Sequence, residues 1–153
     1  RSGNNASCVL RIQNAAGIAL LTGDIEASVE RHLVARHGER LSSDLVLAPH
    51  HGSRSSSSPA LVDATRPEFV VYTAGWANRY GFPAPSVERR WRRFGAIPLS
   101  TAQLGTISFY MSSDDGIVGP SAYRHEARRY WWHDSGSAMP SHAVSSADRS
   151  QRE

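Results

Sequence analysis

Asp24 and the pair His50-His51 are the residues in this chain whose types and setting could do chemistry. Asp24 follows a short apolar run, Ile18 to Leu21, and is preceded by Gly23. His50 and His51 follow a second apolar run that begins near Asp44 and ends at Ala48, and Gly52 comes next. Open α/β sheets present ligands and reactive groups at the carboxyl ends of their strands. If the two runs are neighbouring strands, Asp24 and His50 emerge side by side. A carboxylate with an imidazole is a common ligand set for zinc, iron or manganese. A carboxylate shared between two such ions is the usual device for hydrolysing phosphodiesters. Spacing alone leaves two plainer alternatives open. An Asp after a strand can simply cap the next helix, and a His-His pair in a loop can be a surface feature.

The elements that must position these residues can be read from apolar periodicity. Cys8 to Ile12 alternates, which predicts a strand with one buried face. Asn14 to Gly17 is a turn, and Ile18 to Leu21 completes a hairpin. Ile25, Val29 and Leu33 recur every fourth residue, with Glu26 and Glu30 beside them. That pattern predicts an amphipathic helix with acids in its first turns, stopped at Gly38. Asp44 to Ala48 is a short buried strand. Ser58-Pro59 opens a helix, with Ser as N-cap and Pro in the first turn. Glu68 to Thr73 is a strand. Residues 75 to 85 are a loop rich in Gly, Pro, Asn and aromatics. Pro85 opens a helix whose core stripe is Val87, Trp91 and Phe94. Ile97 to Ser100 and Thr106 to Met111 close the domain. The order β-β-α-β-α-β-α-β-β belongs to a layered α/β domain.

The chain has 153 residues, 40% hydrophobic and 20% charged, which suits one soluble globular domain with a real core. No apolar run approaches the roughly 20 residues needed to cross a bilayer. No signal peptide is evident, and the chain opens without Met, so the sequence reads as a piece of something longer. The single cysteine, Cys8, excludes an internal disulfide and is expected to be a buried strand residue. The net charge is +3, and all 17 basic residues are arginine. Arginine's planar fork suits phosphate, although a compositional bias of the genome accounts for the same excess. Arg89, Arg90, Arg92 and Arg93 form the polar face of the third helix. The cluster Arg128-Arg129-Tyr130-Trp131-Trp132 is basic and aromatic. The chain divides into a main domain over 1–112, a basic aromatic segment over 113–133, and a Ser/Ala-rich tail over 134–153 expected to be disordered.

Several strings taken together resemble the C-terminal metallo-β-lactamase-like domain of ComEC-type DNA internalisation proteins. They are the stretch from Asn4 and Asn5 through Ile12, the run Leu21-Thr22-Gly23-Asp24-Ile25-Glu26, and the run Pro49-His50-His51-Gly52-Ser53. Ser55-Ser56, Asn78-Arg79-Tyr80-Gly81 and Gly105-Thr106-Ile107 follow in the same order. The resemblance covers residues 4 to 111. It implies the C-terminal portion of a metallo-β-lactamase αββα sandwich. It implies a bridging metal ligand at Asp24 and a final metal-ligating histidine at His50, with His51 as the alternative. It places Asn4, Asn5, Ser53, Ser55, Ser56 and Asn78 near the phosphate of a substrate. The implied cofactor is a pair of divalent ions, zinc or manganese. The implied partners are DNA and the membrane-embedded channel of the same parent protein, which sits in the bacterial inner membrane with this domain on its outer side. The implied activity is nucleolytic removal of the strand that is not imported.

Two departures stand against that pattern. The superfamily's His-X-His-X-Asp-His motif is absent from the chain, and Phe82 stands where many relatives have histidine. Two other readings remain beside the nuclease. One is a module that guides DNA without cutting it. The other is a related hydrolase acting on a phosphorylcholine or lactone substrate.

Overall fold

A computed structural model describes residues 3–127. Seven strands and five α-helices alternate much as the periodicity requires. β1 (Leu10–Asn14) and β2 (Gly17–Leu21) form an antiparallel hairpin. α1 (Ala27–His37), β3 (Leu45–Leu47), α2 (Pro59–Thr65), β4 (Phe69–Tyr72), α3 (Pro85–Arg93) and β5 (Ile97–Ser100) follow. The five strands make one sheet in chain order, β1-β2-β3-β4-β5, parallel from β2 onward. α4 (Thr101–Leu104) then leads into a second, two-stranded antiparallel sheet of β6 (Ile107–Ser112) and β7 (Gly116–Ala122), and α5 (Tyr123–Glu126) ends the described chain.

The β2–β5 strands are apolar on both sides because both sides are covered. On one face Leu20, Val46, Val70 and Tyr72 pack under Val62, Val87 and Trp91 from α2 and α3. On the other, Ala19, Leu45, Phe69, Val71 and Leu99 pack against Leu104, Ala122 and the inward residues Ile107, Phe109 and Met111 of β6. The result is an α/β domain of helix layer, mixed sheet and two-stranded ribbon.

Local chemistry sets the helix ends. Gly38 terminates α1 with φ of 49°, its N–H donating to the Val34 carbonyl. Ser58 caps α2 by accepting from the Leu61 N–H, with Pro59 in the first turn.

Several expectations need correction. Cys8 is exposed, and the strand starts at Leu10. The alternating set expected to form a buried face is exposed: Leu10 and Ile12 are 55% and 43% exposed on an edge strand. Val9, on the opposite face, is the residue that packs on the helix-side core. Phe94 is also exposed, because α3 ends there and only Val87 and Trp91 of its stripe reach the core. The fold does not stop at residue 112: β7 pairs along β6, and Ile117 and Ala122 are buried. The Arg128–Trp132 cluster and the 134–153 tail lie outside the described residues.

Candidate functional site

The site begins with strand register. Leu21 of β2 is the direct parallel partner of Leu47 of β3. Whatever follows these residues must therefore leave the sheet together at its carboxyl edge. Thr22 is fully buried and donates its hydroxyl to the Leu47 carbonyl at 2.7 Å. The His50 N–H donates to the Gly23 carbonyl at 3.0 Å. These two bonds lash the Thr22–Asp24 and Pro49–Gly52 loops to each other.

Both loops are held in conformations that few residues adopt. Gly23 has φ of 56°, and a Cβ there would lie 2.8 Å from that of Ser7. The Ser7 hydroxyl accepts the Asp24 N–H at 3.1 Å. His50 and His51 both occupy the left-handed region, with φ of 48° and 57°. Two successive left-handed residues are uncommon outside glycine. They turn the neighbouring imidazoles to different partners.

His51 turns to Asp24. Its Nε2 is 3.5 Å from Asp24 Oδ1, and its Nδ1 is 3.0 Å from Thr73 Oγ1 at the end of β4. Asp24 does not cap a helix, since α1 is entered at Glu26. His50 turns away from that pair. Its Nε2 is 3.2 Å from Asn4 Nδ2, and its Nδ1 is 3.4 Å from Glu26 Oε1. That approach is too poorly aligned for a hydrogen bond and leaves the buried Nδ1 without one among the described residues. The two rings are 6.3 Å apart, edge to face.

Glu26 organises the polar side of the site. Its Oε1 accepts from Ser55 Oγ at 2.9 Å, and its Oε2 accepts from Asn5 Nδ2 at 3.4 Å. Asn5 Oδ1 accepts the Glu26 N–H in return. Ser53 Oγ lies 3.1 Å from Ser55 Oγ. Asn4, Asn5, Ser53 and Ser55 thus meet around His50 and Glu26.

Two of the residues placed near substrate by the sequence are occupied otherwise. Ser56 is 2% exposed and donates to the Pro49 and Ser53 carbonyls, so it fastens the loop and cannot meet a substrate. Asn78 borders the cleft, but its amide donates to the Gly75 and Phe82 carbonyls and accepts the Phe82 N–H. It holds the 75–82 loop in shape.

Asp24, His50, His51 and Thr73 open onto a cleft of about 550 Å³ that is also lined by Gly75, Asn78, Tyr80 and Phe82. Phe82 lies against both histidines, stacked on His51 at 6.4 Å and edge-on to His50 at 5.9 Å. Glu26 and Thr73 were not singled out as site residues from the sequence. Glu26 was read as a helix-dipole acid, and Thr73 as the end of a strand. The Gly-Asp-Ile-Glu spacing is the one local signal that could have drawn Glu26 in.

The donor geometry can be tested against a metal. Two ligands with bonds of about 2.0–2.2 Å at a tetrahedral ion sit roughly 3.3 Å apart. The separation of Asp24 Oδ1 from His51 Nε2 matches two corners of such a shell. Thr73 on the other ring nitrogen is the kind of outer partner that fixes a ligating tautomer. Among the described residues, however, no three His, Cys, Asp or Glu side chains converge as a ligand set.

This is an α/β domain with a carboxylate–imidazole pair at the carboxyl edge of a parallel sheet. No family model matches the chain. It is 35% identical over 129 residues to competence protein ComA of Neisseria gonorrhoeae, covering 84% of this chain and 18% of that protein. It is 33% identical over 107 residues to recombination protein 2 of Haemophilus influenzae, covering 70% and 13%. It is 32% identical over 108 residues to ComE operon protein 3 of Bacillus subtilis, covering 71% and 14%. The chain is a homologue of the ComEC-family competence proteins over the segment they share, and it spans less than a fifth of their length.

Proposed function

We propose that this chain forms part of a metal-dependent phosphodiesterase domain of metallo-β-lactamase type, acting on DNA during its uptake into the cell. The observation that carries the reading is the 3.5 Å approach of His51 Nε2 to Asp24 Oδ1 at the cleft mouth. The relationship to competence proteins supports DNA as the substrate class.

In this reading Asp24 and His51 hold a divalent ion, zinc or manganese, with further donors from outside the described residues. His51 takes the role that the family pattern gave first to His50. Bound metal supplies positive charge for a phosphate oxygen and lowers the pKa of water. The chain's own groups do the rest. Thr73 orients His51. His50 presents its ring to a phosphodiester lying along the cleft, with Asn4 beside it and Glu26 holding Ser55 and Asn5 in place. In this reading the parent protein sits in the inner membrane, with this domain on its outer side. No helix among the described residues is long and apolar enough to cross a membrane.

Incubation of the full parent protein with labelled DNA and manganese or zinc tests the reading. Cleavage that is lost in Asp24→Ala and in His51→Ala supports it. The absence of cleavage, or cleavage indifferent to both substitutions, removes it. The incompleteness of the ligand set among the described residues favours a second reading, in which the domain guides DNA without cutting it. DNA binding in a protein that neither binds metal nor cleaves would select that one.

A further inference from the structure

One wall of the cleft is a run of stacked planar groups. His51 stacks with Phe82 at an interplanar angle of 24°. Phe82 stacks with Tyr80 at 5.4 Å and 18°. The Arg79 guanidinium lies over the Tyr80 ring at 4.8 Å, and its Nη2 donates to the Tyr80 hydroxyl. The run therefore leads from the candidate metal pair outward to solvent.

Its outer end is largely open to solvent. Tyr80 is 63% exposed, and Trp76 on the same loop is 57% exposed. A loop that only needed to close over the core would gain nothing from burying so little of two large rings. Yet the loop is rigidly made: Asn78 bonds across it three times, to Gly75 once and Phe82 twice. Exposed aromatics on a braced loop, with arginine stacked among them, are the hardware of single-strand binding. Every base has a π-face, and arginine adds both stacking and phosphate charge.

We infer that the Arg79–Tyr80–Phe82 stack is a platform for unpaired bases, so that the site takes single-stranded DNA in preference to duplex. The inference rests on the proposed role in handling DNA and sharpens it. A duplex keeps its base faces stacked on each other, and the platform has nothing to offer it. A single strand lays a base against Tyr80 and Arg79, and its backbone then runs into the cleft towards Asp24 and His51.

The test measures binding to the full chain with chelator present, so that no cleavage or metal enters. Three fluorescent probes are compared: a mixed-sequence single strand of about 12 nucleotides, an abasic strand of the same length and charge, and the matching duplex. The single strand is expected to bind at least about five-fold more tightly than either of the others. Tyr80→Ala is expected to abolish that preference, and Tyr80→Trp to keep it. Tyr80 is exposed, so neither change threatens folding. Equal affinity for the base-bearing and abasic strands overturns the platform. So does a preference that survives Tyr80→Ala, or a failure to bind any probe. Cleavage without base-dependent binding removes the platform and leaves the phosphodiesterase standing. Base-dependent binding without cleavage does the reverse.

Discussion

The carboxylate of Glu30, fully buried, accepts the backbone N–H groups of Ser57 and Ser58 at 2.6 Å each. One side chain of α1 thereby pins the end of the serine loop, and Arg90 of α3 donates to the Ser57 carbonyl from the other side. Glu30→Gln replaces one acceptor oxygen with a donor and leaves a buried N–H facing it. The expected cost is about 1–3 kcal/mol, read as a lower denaturation midpoint with an unchanged slope.

A metal titration separates the two histidines. Asp24→Asn and His51→Ala are expected to weaken zinc or manganese binding at least about ten-fold, since each removes a donor from the shell. His50→Ala is expected to leave metal affinity nearly intact while lowering DNA cleavage. Calorimetry on the parent protein reads the first effect, and a cleavage assay the second. A His50→Ala protein that loses metal while His51→Ala keeps it would reverse the assignment.

Thr73 lines the cleft and holds His51 by its Nδ1. Thr73→Val keeps the shape and removes the hydroxyl. Metal affinity is expected to fall about 10- to 100-fold, the usual effect of losing a partner that orients a ligand. Thr73→Ser restores the hydroxyl and is expected to restore affinity.

Gly52 has φ of 83°, and a Cβ there would lie 2.7 Å from the Tyr72 ring and 2.8 Å from Pro83. Both neighbours are packed, so neither yields cheaply. Gly52→Ala is expected to destabilise the domain by about 1–3 kcal/mol through strain and overpacking. It should also disturb the adjacent histidines, which a shift of their imidazole NMR resonances would register.

Tyr72 is buried, and its hydroxyl finds no hydrogen-bond partner among the described residues. Burial, assisted by Glu88, pushes its ionisation well above the ordinary value of 10.0. The folded state therefore keeps a proton that the unfolded chain loses above about pH 10. The stabilisation is complete below that pH and declines as pH rises beyond it. Thermal melts should show this alkaline loss, with no lysine present to titrate alongside. Tyr72→Phe is expected to remove that component and to raise stability at neutral pH by about 1 kcal/mol.

The sequence by itself determined the order of elements from β1 to β5, because apolar periodicity and the Gly and Pro signals at the ends of α1 and α2 are local properties. It indicated that Asp24 and the His50-His51 pair each follow a short buried strand, and the pairing of Leu21 with Leu47 then made those strands neighbours. Only the tertiary structure decided which histidine faces Asp24. Two left-handed residues in succession send neighbouring rings to different partners, and no spacing rule contains that choice. Tertiary packing likewise turned Glu30 from a helix-dipole acid into a buried anchor. It hid Ser56 behind its own loop, and it left Cys8, Leu10 and Ile12 exposed. An alternating pattern says that two faces differ; whether either is covered depends on what packs there, and all five residues of the edge strand β1 are exposed.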